Sequence, residues 1–525
     1  MTRALFDALF AEGSTSRVIV DDGARVLDAR VLLAESARRA RALANDGMSK
    51  GARVAVVVEP GADWLTWTLA VWRAGGAAVP LLVDQPLPEV AHALSEARVD
   101  VVVTTAKERA RLGETLAGVR VSDVRAAALG PEVEDAAHER PILDDEAAAL
   151  VLFTSGTTGK PKAAALSHRA LDAQLRSLAL AWAWSARDHA LLVLPLHHVH
   201  GIVNVLFSSI AAGATVTMLH PFDAGRTLDR LVRGDVNVFM AVPTIYKRLL
   251  DATRARDDDA RASIARAFAS MRLVVSGSAA LDVPTFARIR DVFGVVPLER
   301  YGMTEIGMAL SNPLEGERVA GTVGSPLPSV SVRLVDESGR PIAGGFSDDE
   351  EPVEGDIEVR GPTLFTGYLF RDDVTRASFT DDGWFRTGDF ARRHAGRYAI
   401  LGRRSSDILK TGGEKVSALE IEGAILTHID VRACAVVGLP HEEWGQEVCA
   451  VVEVAPGVAP PTLRDLRATL KSVLAPFKVP RRLFVTDALP VNALGKVQKS
   501  IVVARARAAG EDDETTALGV REVRA

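Results

Sequence analysis

"RVAVVVEPGADWLTWTLAVWRAGGAAVPLL" occupies residues 53–82. Its opening run, 53–58, is a continuous apolar strand once Arg53 is passed. "ADWLTWTLAVWRAGG" has the length and apolar spacing of a helix and stops at Gly75 and Gly76. "AAVPLL" (77–82) is apolar again and predicts a second strand. Downstream, "EVAHALSEAR" predicts a helix and "VDVVVTT" a third strand. Strand, helix, strand, helix, strand is the pattern of a parallel sheet with crossover helices, so the fold class is α/β.

The alternation resumes at "HALLVLPL" (189–196), "GATVTML" (213–219), "VNVFMAVP" (236–243) and "MRLVVSGSAAL" (271–281). From about 321 the texture changes to short alternating strands with Gly and Pro turns, a small β region: "SVSVRLVD", "GDIEVRG", "RYAILG". After about 404 a smaller α+β unit follows. Its first helix, "SALEIEGAILTH", has Ser417 and Glu420 at capping-box spacing. The boundaries are 1–403 for a large N-terminal domain and 404–525 for a small C-terminal one. At 525 residues the chain is too long for one hydrophobic core. The last residues, from about 505, are charged and expected to fray.

Composition narrows the function. Apolar residues make up 48% and charged residues 25%, as in ordinary soluble globular proteins. A net charge of −6 with both signs mixed argues against nucleic acid as the partner. Cys434 and Cys449 have no metal-spaced neighbours and read as reduced core residues. "MTRALFDALFAEG" is too acidic and too short in apolar content for a secretory or mitochondrial leader, and the longest apolar stretch is broken by Arg73, Gly75 and Gly76. A cytoplasmic protein without a membrane span is expected.

"VLFTSGTTGKPKAA" (151–164) raises the chemical question. An apolar strand runs into Thr154, Ser155, Gly156, Thr157, Thr158, Gly159 and Lys160, closed by Pro161 and Lys162. Glycines let the backbone approach a ligand, hydroxyls and successive N–H groups donate to oxyanions, and the lysines add charge. That suits phosphate. It is not a Walker A loop, which has four residues between its glycines and Ser or Thr after Lys. Pro161 biases Lys160 away from helical geometry, so the loop does not run into a helix N-terminus.

Four further stretches carry candidate chemistry. "ERYGMTEIG" (299–307) sets Thr304 beside Glu305, which reads either as a carboxylate suited to Mg²⁺ shared with phosphate oxygens or as a helix N-terminus capped by the threonine. "WFRTGDFA" (384–391) places Asp389 after a glycine turn, where it could accept both hydroxyls of a ribose or simply cap the turn. "LGRRSSDILKTGGEKVSALEIE" (401–422) combines a basic pair, a possible hinge and a glycine pair. "NALGKVQK" (492–499) carries Lys496.

In this order and spacing the stretches resemble the acyl-adenylate-forming superfamily of acyl-CoA synthetases, carrier-protein adenylation domains and luciferases, over roughly residues 20–502. The resemblance implies that 154–162 wraps the phosphates of ATP. It implies that Gly277, Ser278 and Ala279, with Glu299, Arg300, Tyr301 and Gly302, line adenine. Thr304 and Glu305 would serve the α-phosphate and Mg²⁺. Asp389 with Arg403 or Arg404 would hold ribose, because the basic pair lies one residue further from Gly412 than in most members. Lys496 would be the mobile lysine of adenylation. Gly412 and Gly413 would reach the pantetheine channel after rotation of a mobile C-terminal domain about a hinge within 404–407, and Lys410 would be a further cofactor-binding residue.

"PLHHVHGIVN" (195–204), "FMAVPTIY" (239–246), "RLVVSGSAAL" (272–281) and "ERYGMTEIGMALSNPL" look closely like malonyl-CoA synthetases. That narrower resemblance implies an ATP-dependent ligase that turns malonate, or methylmalonate, into its CoA thioester with release of AMP and pyrophosphate. Arg272 would meet the distal carboxylate, with His200 and Ser276 as candidate helpers, Met303 would be a further substrate-binding residue, and His198 would take the gating position. The three histidines at 197, 198 and 200 lack a further ligand at zinc spacing. The alternatives are a short- or medium-chain fatty acyl-CoA synthetase, favoured by an apolar acyl pocket, and a carrier-protein-loading enzyme. The sequence leaves the oligomeric state open.

Overall fold

The computed structural model describes residues 3–11, 17–124, 139–154, 161–428, 430–454, 457–491, 497–511 and 520–523. Within them the two runs of alternating strands and helices build two sheets. One has the strand order 367–368, 162–167, 148–154, 77–80, 53–57, 101–104, 120–123. The other has the order 325–326, 307–311, 298–303, 273–276, 238–241, 189–192, 215–218, 18–21, 26–28. The opening stretch forms Arg53–Val57 and Ala77–Pro80, paired in parallel from Arg53↔Ala77 to Val56↔Pro80, with the helix Ala62–Arg73 between them. Trp64, Trp67 and Trp72 bury completely on that helix, so its apolar content is spent between layers.

Both sheets turn antiparallel where the candidate motifs sit. Ala148–Thr154 pairs with Lys162–Ser167 up to Thr154↔Lys162. The phosphate-type loop thus leaves one strand and returns along the next, as the proline after Lys160 implies. Leu298–Met303 doubles back on Gly307–Ser311 through Thr304, Glu305 and Ile306. Gly302 permits this close return, since a Cβ there would stand 2.2 Å from the Gly307 carbonyl oxygen.

The small β region is a four-stranded antiparallel sheet, 331–335, 353–360, 385–394, 397–403. A last sheet, beginning at Ile408–Thr411, gathers the strands of the C-terminal unit. Its apolar clusters, from Leu409 onward, are separate from the large core that ends near Tyr398 and Ile400. Ser417 caps the helix Ala418–Ile425 by accepting the Glu420 N–H at 3.1 Å. No helix among the described residues is long and apolar enough to cross a membrane.

Candidate active site

In parallel sheets, ligands collect beyond the carboxyl ends of the strands. Leu273–Ser276 ends at such an edge, and its continuation, Gly277 and Ser278, meets the neighbouring strand through Arg300. A Cβ on Gly277 would stand 2.4 Å from Arg300 Cζ, so the guanidinium lies flat against a position where only glycine fits. Ser278, at φ 69°, turns its hydroxyl to within 3.1 Å of His200 Nδ1 and accepts from Arg300 Nη2 at 3.4 Å.

Arg300 is 5% exposed and, among the described residues, has no carboxylate partner; its Nε has no hydrogen-bond acceptor there. Burial pushes the guanidinium down to about 9, which still leaves it cationic at neutral pH. His200 lies on the buried π-helical turn His200–Phe207, and burial, with Arg300 and His198 nearby, holds its imidazole well below its usual range. A neutral ring offers one donor and one acceptor. Ser276 Oγ, His200 Nε2 and both polar atoms of Asn204 are likewise buried without partners among the described residues. His200, Ser278 and Arg300 therefore form one linked polar group around an uncompensated cation, the inverse of an apolar acyl pocket. Asn204 is a residue the sequence reading passes over, although one amide inside the apolar run "GIVNVLF" is a visible signal.

Arg272 is not brought to this place. It precedes the same strand at its amino end, about 13 Å of strand rise from Ser276. Its guanidinium grips Asp188 through Nε and Nη2, both at 2.6 Å, and donates to the Trp182 carbonyl at 2.7 Å. Asp188 is 3% exposed. Arg272, itself half-buried, is thus held in an ion pair at the opposite end of the strand from Ser276, and the structure does not bring it to the cluster around Arg300.

A second cluster lies at the hairpin mouth. Lys162 Nζ stands 5.3 Å from the centre of the Tyr368 ring, and Tyr368 donates its hydroxyl to Glu305 Oε1 at 2.8 Å. Glu305 is buried, and Thr304 sits half-buried in the adjoining turn. Tyr368, on a short strand paired with Lys162–Ser167, is a further residue that the sequence reading misses. Thr154 ends its strand beside Lys162; residues 155–160, with Ser155, Gly156, Thr157, Thr158, Gly159 and Lys160, lie outside the described residues.

The third cluster surrounds Asp389. Tyr301 donates its hydroxyl to Asp389 Oδ2, and burial next to that carboxylate pushes the phenol up. Arg403 Nε lies 2.9 Å from Asp389 Oδ1, and Nη1 donates to the Thr387 carbonyl at 2.8 Å. Arg404 points elsewhere, onto both oxygens of Asp356 at 2.5 and 2.7 Å. The neighbouring arginines are thus divided between Asp389 and the small β sheet. Glu299 accepts from Gly321 N–H at 3.0 Å, and burial pushes its carboxyl up to about 8.

The remaining expected residues are more dispersed. Ala279 is exposed beyond the strand end, and Met303 closes its strand opposite Gly307. His198 is half-buried, its ring 3.9 Å from that of His197. No three His, Cys, Asp or Glu side chains among the described residues group as metal ligands. Lys410 is exposed, its N–H donating to Gln446 Oε1 at 2.7 Å. Gly412, at φ 58°, packs on Trp444, where a Cβ would stand 2.9 Å from the ring, and Gly413 is exposed. Lys496 lies outside the described residues.

Two family models match the chain: AMP-binding enzyme over residues 9–369 and AMP-binding enzyme C-terminal domain over 420–496. The "Malonate--CoA ligase ACSF3, mitochondrial" of Mus musculus is 40% identical over 478 residues, covering 85% of this chain and 80% of the relative. Among solved structures, ATP-bound MatB from Rhodopseudomonas palustris superposes with a TM-score of 0.86 at 33% identity, covering 96% of this chain and 99% of that one. A malonyl-CoA ligase ternary product complex with methylmalonyl-CoA and AMP is 38% identical and has a TM-score of 0.67, covering 93% of this chain and 100% of that one.

Proposed function

The chain belongs to the AMP-binding enzyme family, and on that premise we propose that it is an ATP-dependent malonate–CoA ligase releasing AMP and pyrophosphate. One observation carries the choice of acid: Arg300 is a buried cation without an anionic partner among the described residues. A short monocarboxylate would leave it uncompensated. The distal carboxylate of malonate would meet it with two parallel charged hydrogen bonds, the geometry a guanidinium favours. His200 and Ser278, linked to Arg300, would supply polar neighbours for the remaining carboxylate lone pairs, with Ser276 and Asn204 as further candidates. The malonate–CoA ligase relative supports the same acid.

The chemistry follows in two steps. An oxygen of the reacting malonate carboxylate attacks the α-phosphorus of ATP, and pyrophosphate leaves. The thiol of CoA then attacks the acyl carbon of malonyl-adenylate, and AMP leaves. Residues 154–162, with Lys496, would stabilise the charge on the phosphoryl oxygens. Asp389 and Arg403 would hold the ribose; we prefer Arg403 because Arg404 is already bound to Asp356. Glu305 fits Mg²⁺ as a lone carboxylate beside a phosphate loop, since that ion takes most of its ligands from phosphate oxygens and water. When bound, the ion would neutralise charge on the phosphates.

We place the boundary between the two domains at 403/404, where one sheet ends and the next begins, and a hinge within 404–407. The relatives support two arrangements, since the more similar ligase, in its product complex, superposes less well than the ATP-bound one. We keep a cytoplasmic location as a proposal, although the mouse relative is described as mitochondrial. The test is a pyrophosphate-release panel with CoA over malonate, methylmalonate, succinate, acetate, propionate and octanoate. Malonate or methylmalonate should give the highest kcat/KM; preference for propionate or octanoate would overturn the reading.

A further inference from the structure

Lys499 has no part in the chemistry just described, yet it carries a charge into the interior. Its Nζ lies 2.6 Å from Asp407 Oδ1 and 2.8 Å from Glu422 Oε1, and its side chain is 12% exposed. An ammonium between two carboxylates at this depth is costly to desolvate, so its partners indicate what it holds.

Each carboxylate makes a second bond. Glu422 Oε1 also accepts the Val436 N–H at 2.7 Å, which joins the helix Ala418–Ile425 to the strand Val431–His441. Asp407 closes the turn 403–407. Its Oδ2 accepts the Arg403 N–H at 2.9 Å, and its own N–H donates to the Arg403 carbonyl at 2.8 Å. Gly402, at φ 129°, admits the aspartate, because a Cβ there would stand 2.4 Å from Asp407 Cβ. Arg403 then reaches Asp389 at 2.9 Å. A continuous path of short polar contacts thus runs from Lys499 through Asp407 and Arg403 to Asp389. At its other end, Gln498 N–H donates to the Pro490 carbonyl at 2.8 Å and Val491 pairs with Val497, so Lys499 departs from a fixed point.

We infer that Lys499 is a positioning residue for the adenylation half-reaction, holding Asp407 so that the 403–407 turn sets Arg403 against Asp389. The inference rests on the adenylate-forming reading above. Lys499 acts by charge. It occupies Oδ1 of Asp407 and leaves Oδ2 for the Arg403 N–H. Without the ammonium, two buried carboxylates face each other uncompensated, and Asp407 must turn toward water or take up a proton. Either outcome weakens the bond that closes the turn.

The full-length chain tests this with five variants: Lys499→Met, Lys499→Arg, Asp407→Asn, Lys499→Met combined with Asp407→Asn, and Lys499→Met combined with Glu422→Gln. The last of these removes one stranded carboxylate and guards against loss of the fold. The wild type is assayed first against the acid panel. If it activates no acid, the functional proposal fails; if it activates an acid other than malonate, that acid is used here. Single-turnover rates are then taken for acyl-adenylate formation with ATP, and for thioester formation from supplied acyl-adenylate and CoA. Lys499→Met, alone and combined with Glu422→Gln, should slow adenylate formation roughly 10–100-fold, the size expected when a substrate-positioning group is misplaced, and raise KM for ATP. Thioester formation should be unchanged, Lys499→Arg should restore most of the adenylation rate, and Asp407→Asn should add little to Lys499→Met. Equal loss in both half-reactions, no loss in either, or effects of Lys499→Met and Asp407→Asn that multiply would overturn the assignment.

Discussion

Arg272 immediately precedes the strand Leu273–Ser276, whereas Arg300, in the adjacent parallel strand Leu298–Met303, lies level with the residue that follows the carboxyl end of Leu273–Ser276. Arg272 is held by Asp188 and a backbone carbonyl. Arg300 is more deeply buried and has no carboxylate to answer it among the described residues. A guanidinium whose charge is already matched builds the fold. One left unmatched in the interior raises the free energy of the protein alone, and an anionic ligand can relieve it. Position in the sheet separates the two roles before chemistry does, because ligands gather at the carboxyl edge.

The sharpest way to break this comparison is Arg300→Met. Two charged hydrogen bonds at about 1.5–3 kcal/mol each correspond to a fall in kcat/KM for malonate of about 10²–10⁴-fold. Propionate should be unchanged or improved, since it never met the charge. Steady-state kinetics on both acids decide it, and a uniform loss would return Arg300 to the adenine site.

Lys496→Ala comes next. Its charge is needed where the phosphoryl group transfers, so adenylate formation should fall about 10²–10³-fold. Thioester formation from supplied malonyl-adenylate should persist. Parallel loss of both steps would remove the lysine from that role.

Arg272→Met should do the opposite of Arg300→Met. Stranding Asp188 should cost about 3 kcal/mol of stability, read by denaturant unfolding. The ratio of malonate to propionate kcat/KM should stay at the wild-type value in the folded fraction. A shifted ratio would reinstate Arg272 as a substrate contact.

The smallest effect concerns pH. Burial pushes the imidazoles of His168, in the scaffold against Trp72, and His197, beside the site, down to about 4. Each is depressed in the fold from about 6.5, so the stability it contributes is complete above pH 6.5 and is lost as pH falls toward 4. His168→Gln should flatten that part of the curve of Tm against pH without altering acid preference. A slope equal to the wild type would contradict a buried neutral ring.

Much of this was legible in the chain. The period of 53–104 fixes the parallel layers, and Pro161 already rules out a loop that runs into a helix. The antiparallel returns at 162–167 and 307–311 were not legible, because short apolar runs have no signature of direction. The partner of each arginine was not legible for a related reason. Arg272 and Arg300 both flank apolar strands, and the sequence does not say which one Asp188 reaches across 84 positions. Tyr368 and Lys499 were missed because each is defined by partners distant in the chain.

Gly277 gives the pocket an unexpected point of control. The guanidinium of Arg300 rests where that residue has no side chain, and one methyl group would overlap it at 2.4 Å. Gly277→Ala would displace the cation while leaving every charged and polar residue of the pocket in the sequence. On the proposal that Arg300 meets the distal carboxylate, acid preference would then change by one methyl group at a silent-looking position, and a search for altered specificity that samples only the polar residues would overlook it.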